Sequence, residues 1–158
     1  MTDERFVLAL AGGVGGGKFV RGLVDVLPPE QLAIVANTAD DFEHLGLHIS
    51  PDIDSVLYAL AGLNDPERGW GLAGETWNFM AAMERLGGET WFRLGDRDLA
   101  THVLRTEALA EGRTLSEVTA LLARRLGITH AVIPMSDEPV RSIVETSEGA
   151  LNFQDYFV

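Results

Sequence analysis

Cysteine is absent from this chain, so it has neither a disulfide frame nor thiolate chemistry, which fits a reducing compartment. Positive charge is scarce. Twelve Lys and Arg stand against 24 Asp and Glu, for a formal net charge of -12 and a sequence pI near 4.6. That balance argues against nucleic acid or an anionic membrane surface as a partner. No long apolar run occurs either: Phe6–Ala11 follows the charged start Met1-Thr2-Asp3-Glu4-Arg5 and is too short for a signal-peptide core or a membrane span. A soluble, cytoplasmic protein is expected. Repeats, low-complexity segments and linkers are also missing, so the 158 residues, 46% of them hydrophobic, are expected to form a single domain over 1–158. An acidic chain that handles phosphates must do so locally, through backbone amides, a few cationic side chains and a divalent cation.

What is present begins with glycine. The apolar run Phe6–Ala11 predicts a buried strand, five of the next six positions (12–17) are glycine, and Lys18 opens a helical pattern through Val20, Leu23, Val24 and Leu27. Strand, glycine loop and helix make an anion site in α/β folds, because glycines let backbone N–H groups approach a phosphate at the helix N-terminus. Neither standard motif is met. Phe19 stands where a P-loop needs Ser or Thr for Mg²⁺, and the spacing G-x-G-x-x-G counted from Gly13 and Gly15 would place its third glycine on Lys18. A tight turn that merely needs glycine is the alternative to a phosphate cradle.

Pro28-Pro29 stops that helix, and Gln31–Ala36 predicts a second strand, hence a right-handed βαβ unit with parallel strands. Ligands in such folds sit beyond the strands' carboxyl ends. There lies Asn37-Thr38-Ala39-Asp40-Asp41, whose adjacent carboxylates suit a metal or a hydroxyl-bearing ligand, or else a solvated Asx-turn. Phe42–Ile49 is expected to be a loop over the crevice. His44 and His48 flank Gly46 and fit a zinc helix poorly. Ser50-Pro51-Asp52-Ile53-Asp54 carries helix-start signals, with Ser50 as cap, Pro51 in the first turn and Asp52 and Asp54 complementing the dipole. If that helix starts at the crevice, Asp54 faces into it.

Further along, a loop spans Leu63–Trp70, a helix Glu75–Leu86, a short β-like stretch Trp91–Leu94 and a helix Leu99 to about Ala110. Asp98, His102 and Arg105 share a helical face, as a surface ion-pair set or, with Arg93 and Arg97, as a basic patch for an anionic substrate. Thr114-Leu115-Ser116-Glu117 is a capping box for an amphipathic helix, and Ala131-Val132-Ile133 is another buried strand leading to Ser136 and Asp137. Arg141–Thr146 and Ala150–Tyr156 alternate like a β-hairpin around Ser147-Glu148-Gly149, with no helix after it. The fold class expected is α/β, Rossmann-like, a mainly parallel sheet flanked by helices with a hairpin near the C-terminus. That hairpin's edge makes a homodimer plausible.

Taken together, Ala11–Lys18, Asn37–Asp41, Ile49–Tyr58, Trp70-Gly71, Leu94–His102, Pro134–Val140 and Phe153–Tyr156 resemble, in order, the motifs of the CofD family, the 2-phospho-L-lactate transferases of coenzyme F420 biosynthesis, with phosphoenolpyruvate transferases as actinobacterial relatives. The resemblance covers nearly all of this chain and the N-terminal half of the family's usual length. The other half carries a second glycine-proline loop and much of the guanine-nucleotide site, so a fragment, or a domain that binds without turnover, is expected. The resemblance implies transfer of a phospholactyl or phosphoenolpyruvyl group from a guanylylated donor to the deazaflavin Fo, with GMP leaving and Mg²⁺ as the usual cofactor. It places the Fo contacts on Asp54 and Arg93. Gly12, Gly13, Gly15, Gly16 and Lys18 would cradle donor phosphates, with Ser136 and Asp137 nearby. Asp54, Asp40 and Asp41 are the catalytic candidates, Asp54 and Asp40 also the metal candidates. Two other readings are a non-catalytic nucleotide or nucleotide-sugar binding regulator, which shares the glycine loop and Asn-x-x-Asp-Asp turn, and a P-loop phosphohydrolase, against which Phe19 argues.

Overall fold

A computed structural model describes residues 5–147 and 149–157, so Met1–Glu4, Glu148 and Val158, on which the readings of the charged start and of the hairpin turn partly fall, lie outside the described residues. In chain order it has β1 (Val7–Ala11), α1 (Gly13–Val24), a 3-10 turn at Pro29–Gln31, β2 (Leu32–Ala36), β3 (Phe42–His44), β4 (Leu47–Ile49) and α2 (Pro51–Ala61). There follow α3 (Asn78–Arg85), α4 (Asp98–Ala110), α5 (Leu115–Arg125), β5 (Ala131–Pro134), β6 (Ile143–Thr146), β7 (Gly149–Asn152) and α6 (Phe153–Phe157). No described helix is long and apolar enough to cross a membrane.

The three apolar runs form one parallel sheet in the order β1-β2-β5. Right-handed crossovers that step in one direction across a sheet put their helices on one face. The core follows from this. Ala9, Ala11, Leu32, Ile34, Ala36 and Val132 bury one side of the strands against Val20 of α1, Ile53, Val56 and Leu57 of α2, and Val118 and Leu122 of α5. All the strands' carboxyl ends therefore point the same way, and Gly12, Asn37 and Met135 follow them at that end.

Several expected boundaries shift, each for a local reason. The helix opens at Gly13 rather than Lys18, because Gly13 takes a positive φ of 54° and the Gly16 N–H bonds back to the Gly12 carbonyl at 3.1 Å. Phe42–Ile49 is not a loop: β3 and β4 pair antiparallel, closed by Leu45 and Gly46, both at positive φ. Ser50 precedes α2 without capping it by its side chain. The stretch Trp91–Leu94 forms no strand, Leu94 being buried with Ile49 and Met80 in a second small core. The C-terminal hairpin exists, but its second strand ends at Asn152 and the chain turns into α6 where strand and no helix are expected.

Two helices are capped from a distance. Glu75 does not start α3; its carboxylate accepts the N–H groups of Arg97 (2.8 Å) and Asp98 (2.7 Å) at the start of α4. Reciprocally, Asp96 accepts those of Asn78 and Phe79, each at 3.0 Å, at the start of α3, together with the Thr76 hydroxyl. Thr76 above all, then these helix amides, hold the Asp96 carboxyl far below the usual carboxylate range. Gly95 leaves room for this cap, since a Cβ there would lie 2.3 Å from Cδ of Glu75 and would displace its side chain. The expected capping box of α5 is present, with Glu117 N–H to Thr114 Oγ1 at 3.2 Å and Thr114 N–H to Glu117 Oε2 at 2.9 Å.

Candidate active site

Close packing explains two of the glycines. A Cβ at Gly16 would come within 3.1 Å of Ala11, and one at Gly17 within 3.0 Å of the Ser55 carbonyl, so α1 lies tight against β1 and α2. The turn itself is shaped around a carboxylate. Asp52 accepts a bond from the Asn37 amide at 2.7 Å and another from the Gly13 N–H, and a Cβ at Gly12 would approach its Oδ2 to 3.2 Å. The N-terminus of α1 thus already holds an anion, supplied by the protein. Burial pushes the Asp52 carboxyl up; the Asn37 bond opposes this and the Asp40 charge adds to it. Nothing lies within 4 Å of a Cβ at Gly15. Lys18, the chain's one lysine, is exposed one turn further along α1, beside Ser55, Tyr58 and Trp70.

The loop after β2 is built on Asn37, which accepts the Ala39 N–H at 3.1 Å and donates to Asp40 at 3.2 Å as well as to Asp52. Asp41 is buried. Its Oδ2 accepts the Ser50 hydroxyl at 2.7 Å and faces His48 Nε2 at 3.2 Å, while its Oδ1 is buried with no partner. Ser50 has left the helix cap for this bond. His44 instead stacks edge-on against Trp91 with ring centroids 4.9 Å apart. Asp40 and Asp41 line a cavity of about 280 Å³ with Phe42, Trp91 and Phe153.

The helices α2 and α4 meet through charge. Arg105 is fully buried, and its Nη1 donates to Asp54 Oδ2 at 3.1 Å while Nη2 donates to Asp54 Oδ1. His102 sits between carboxylates, Nδ1 3.7 Å from Asp54 Oδ2 and Nε2 3.4 Å from Asp98 Oδ2. The Tyr58 hydroxyl donates to Asp98 at 2.5 Å. Burial pushes the Asp54 carboxyl up and Arg105 and His102 pull it back. Burial also lifts the Tyr58 phenol, with Asp54 and Asp98 adding to the effect, so it remains a proton donor. For Asp98, burial is outweighed by His102 and Tyr58, and its carboxyl stays low.

This network backs a second cavity of about 160 Å³, lined by Asp54, Asp98, Tyr58, Trp70, Phe92 and Arg93. Its character is mixed: aromatic walls, two carboxylates and one cation. Arg93 lies over the Trp77 ring at 4.6 Å, a cation–π contact that fixes its head at the rim.

Of the residues singled out in the sequence, the fold brings Asp54 and Arg93 to this cavity, Lys18 to its margin, Asp40 and Asp41 to the larger cavity, and Gly12 and Gly13 to the Asp52 carboxylate. Asp137 accepts the Ser116 N–H at 2.7 Å and so supports the start of α5, and Ser136 closes a turn with Glu138. The surface pair set and the basic patch are corrected: Arg105 and His102 are buried, and Arg97 turns to the Ala73 carbonyl at 2.8 Å. Asp52 and Tyr58 carry site geometry without having been singled out for it. Asp98 and His102 were legible as one helical face; their burial depends on Asp54, 51 residues before Arg105, and helical spacing holds no trace of that.

Two outcomes follow for this site. Arg105→Met leaves Asp54 buried without its partner and is expected to cost about 3–5 kcal/mol in urea unfolding, whereas Asp54→Leu combined with Arg105→Met costs much less. Because the folded pKa of Asp52 is raised, its proton favours folding at low pH, and that contribution is lost as pH rises through the folded value. The melting temperature of Asp52→Asn relative to wild type should therefore improve between about pH 3 and about pH 7. An unchanged difference would mean that Asp52 carries no such burden.

The family model for 2-phospho-L-lactate transferase CofD matches residues 7–158. Over 158 residues the chain is 43% identical to a phosphoenolpyruvate transferase from Kitasatospora aureofaciens, covering 96% of this chain and 49% of that protein. It is 40% identical over 152 residues to a 2-phospho-L-lactate transferase from Methanosarcina mazei, covering 96% and 50%. The chain thus spans about half the length of these curated relatives. In fold it is similar to a UPF0052-family protein from Bacillus halodurans, with a TM-score of 0.58 at 18% identity, covering 99% of this chain and 47% of that one. On the match across residues 7–158, the chain belongs to the 2-phospho-L-lactate transferase CofD family.

Proposed function

We propose that this chain supplies the acceptor side of a transferase that moves a 2-phospholactyl or phosphoenolpyruvyl group from a guanylylated donor to the deazaflavin Fo, releasing GMP. One observation carries the reading. Asp54 and Arg93, far apart in sequence, line one cavity with the aromatic walls Trp70 and Phe92. A flat ring system fits such walls, and Arg93 at the rim can stack on or bond to it. Asp54, clamped by Arg105, is a fixed acceptor for a hydroxyl of the ribityl chain, and Asp98 offers a second.

In this reading the terminal hydroxyl oxygen attacks the phosphorus distal to guanosine, and the bond to the bridging oxygen breaks as GMP leaves with the electron pair. The chain's own contribution is alignment: Asp54 orients the hydroxyl, and the amides at the start of α1 with Lys18 face the donor phosphates. Mg²⁺ would neutralise phosphate charge here. Asp41, with a buried carboxylate oxygen lacking a partner, and the neighbouring Asp40 fit such a hard cation, which uses one or two carboxylates plus phosphate oxygens. Asp54 fits it less well, because Asp98 and His102 are within reach but Arg105 already supplies the positive charge.

Fluorescence titration of Fo tests the proposal. Arg93 is exposed, so Arg93→Ala leaves the fold intact and is expected to weaken Fo binding by about tenfold, the equivalent of one charge-assisted contact. Arg113→Ala, away from the cavity, serves as the control. Equal affinities for wild type and Arg93→Ala would refute the acceptor assignment.

A further inference from the structure

The loop between α2 and α3 is organised around one arginine. Arg68 is half-buried, and its Nε donates to Asp65 Oδ2 at 3.0 Å. Its Nη2 lies 2.8 Å from the same oxygen and donates to the Leu72 carbonyl at 2.9 Å. Asp65 Oδ1 accepts the Arg68 N–H at 2.9 Å, so residue and partner are held at both backbone and side chain. The guanidinium thereby joins the start of the loop to its end, where Asn64 and Leu72 form a bridge and the Asp65 N–H bonds to the Gly71 carbonyl at 3.1 Å. A planar fork can make these bonds from one place; a compact ammonium cannot.

The same guanidinium is stacked. It lies 5.5 Å from the centroid of the Trp70 ring and 5.1 Å from that of Trp77, and the two rings meet edge to face at 6.2 Å. Trp77 in turn carries Arg93. Ring and cation thus alternate from Trp70 through Arg68 and Trp77 to Arg93. The two ends of this row, Trp70 and Arg93, line the acceptor cavity, while Arg68 and Trp77 stand behind it. Trp70 needs such backing. It is 45% exposed and sits between Gly69 and Gly71 at φ values of 80° and 70°, where the backbone is most permissive. It also borders the small pocket that contains Lys18, and so separates the ring side of the proposed site from its phosphate side.

We infer that Arg68 is a positioning residue for the acceptor: anchored on Asp65 and the Leu72 carbonyl, it fixes Trp70 as a flat wall of the cavity and, through Trp77, fixes the head of Arg93. This role rests on the acceptor reading above and deepens it. Arg68 touches no ligand itself. It acts on the ring of the acceptor rather than on its ribityl hydroxyls, and it needs the guanidinium fork as well as the charge. Its consequence is specificity for a planar aromatic acceptor, because a wall that yields no longer selects for flatness.

Fluorotryptophan incorporated at the chain's three tryptophans, Trp70, Trp77 and Trp91, gives a fluorine NMR readout that needs no ligand. Trp70→Phe and Trp77→Phe assign the signals. In Arg68→Ala the Trp70 and Trp77 resonances should shift and narrow, while Trp91, packed against Phe42 and His44, keeps its position. Fo titration of the same variant is expected to show binding weakened about fivefold, the size of one exposed cation–π contact. Arg68→Lys keeps the charge without the fork and should match Arg68→Ala in both measurements. Wild-type Fo affinity in Arg68→Ala, affinity restored in Arg68→Lys, or an unmoved Trp70 resonance would each overturn the inference and leave the acceptor reading standing. A shift at all three tryptophans would make Arg68 a residue of the fold at large and overturn it as well. Equal Fo affinity in wild type and Arg93→Ala strikes the acceptor reading itself, and this role with it.

Discussion

The ion pair between Asp54 and Arg105 is the interaction on which the site depends. A fully buried guanidinium is tolerable only where a carboxylate meets it in full, and Asp54 does so with both oxygens. The pair ties α2, which starts at the strands' carboxyl end, to α4, which otherwise packs on β4 and α5. From that tie the rest follows. His102 is held between Asp54 and Asp98, Tyr58 is held on Asp98, and the group as a whole forms the polar back wall of the aromatic cavity that also contains Arg93. A buried ion pair of this kind adds little net stability over an apolar packing of the same volume. Its value here is positional, because it fixes where an anion stands.

The same logic, inverted, governs the glycine turn. Backbone N–H groups at a helix start attract anions, and Asp52 takes that place although burial, and then the charge of Asp40, push its carboxyl up. In the proposed function, a donor phosphate would therefore meet a cradle already bearing negative charge. Either the carboxylate yields or a cation bridges the two, and the unpartnered oxygen of buried Asp41 nearby is the kind of group a cation satisfies. The acidic composition of the chain thus reappears locally, as a demand for counter-charge.

Much of this was legible in the sequence. Apolar runs bounded by glycine and proline marked β1, β2 and β5, and the capping box marked α5, because those signals act through nearest neighbours. The resemblance pointed to Asp54 and Arg93, and the fold brings both to one cavity. What escaped was long-range. A Leu45-Gly46 turn was hidden because leucine rarely adopts a positive φ, and its presence there depends on the β3–β4 pairing. Glu75 and Asp96 resemble helix starters and instead cap each other's helices across 21 residues. Arg105 carries every sign of a surface cation, and only its partner on another helix reveals it as core. The α6 turn follows strand-like alternation and is set by the docking of Gln154 on the Asp40 carbonyl at 3.2 Å.

The most direct test of the account is a crystal structure of this chain with Fo. Two cavities compete for the ring, one backed by Asp54 and the other by Asp40 and Asp41. The account predicts the deazaflavin between Trp70, Phe92 and Arg93, with a ribityl hydroxyl on Asp54 and the Arg105 clamp unchanged. Density for the ring in the Phe42–Trp91–Phe153 cavity, or an Asp54 turned away from Arg105 toward the ligand, would contradict it.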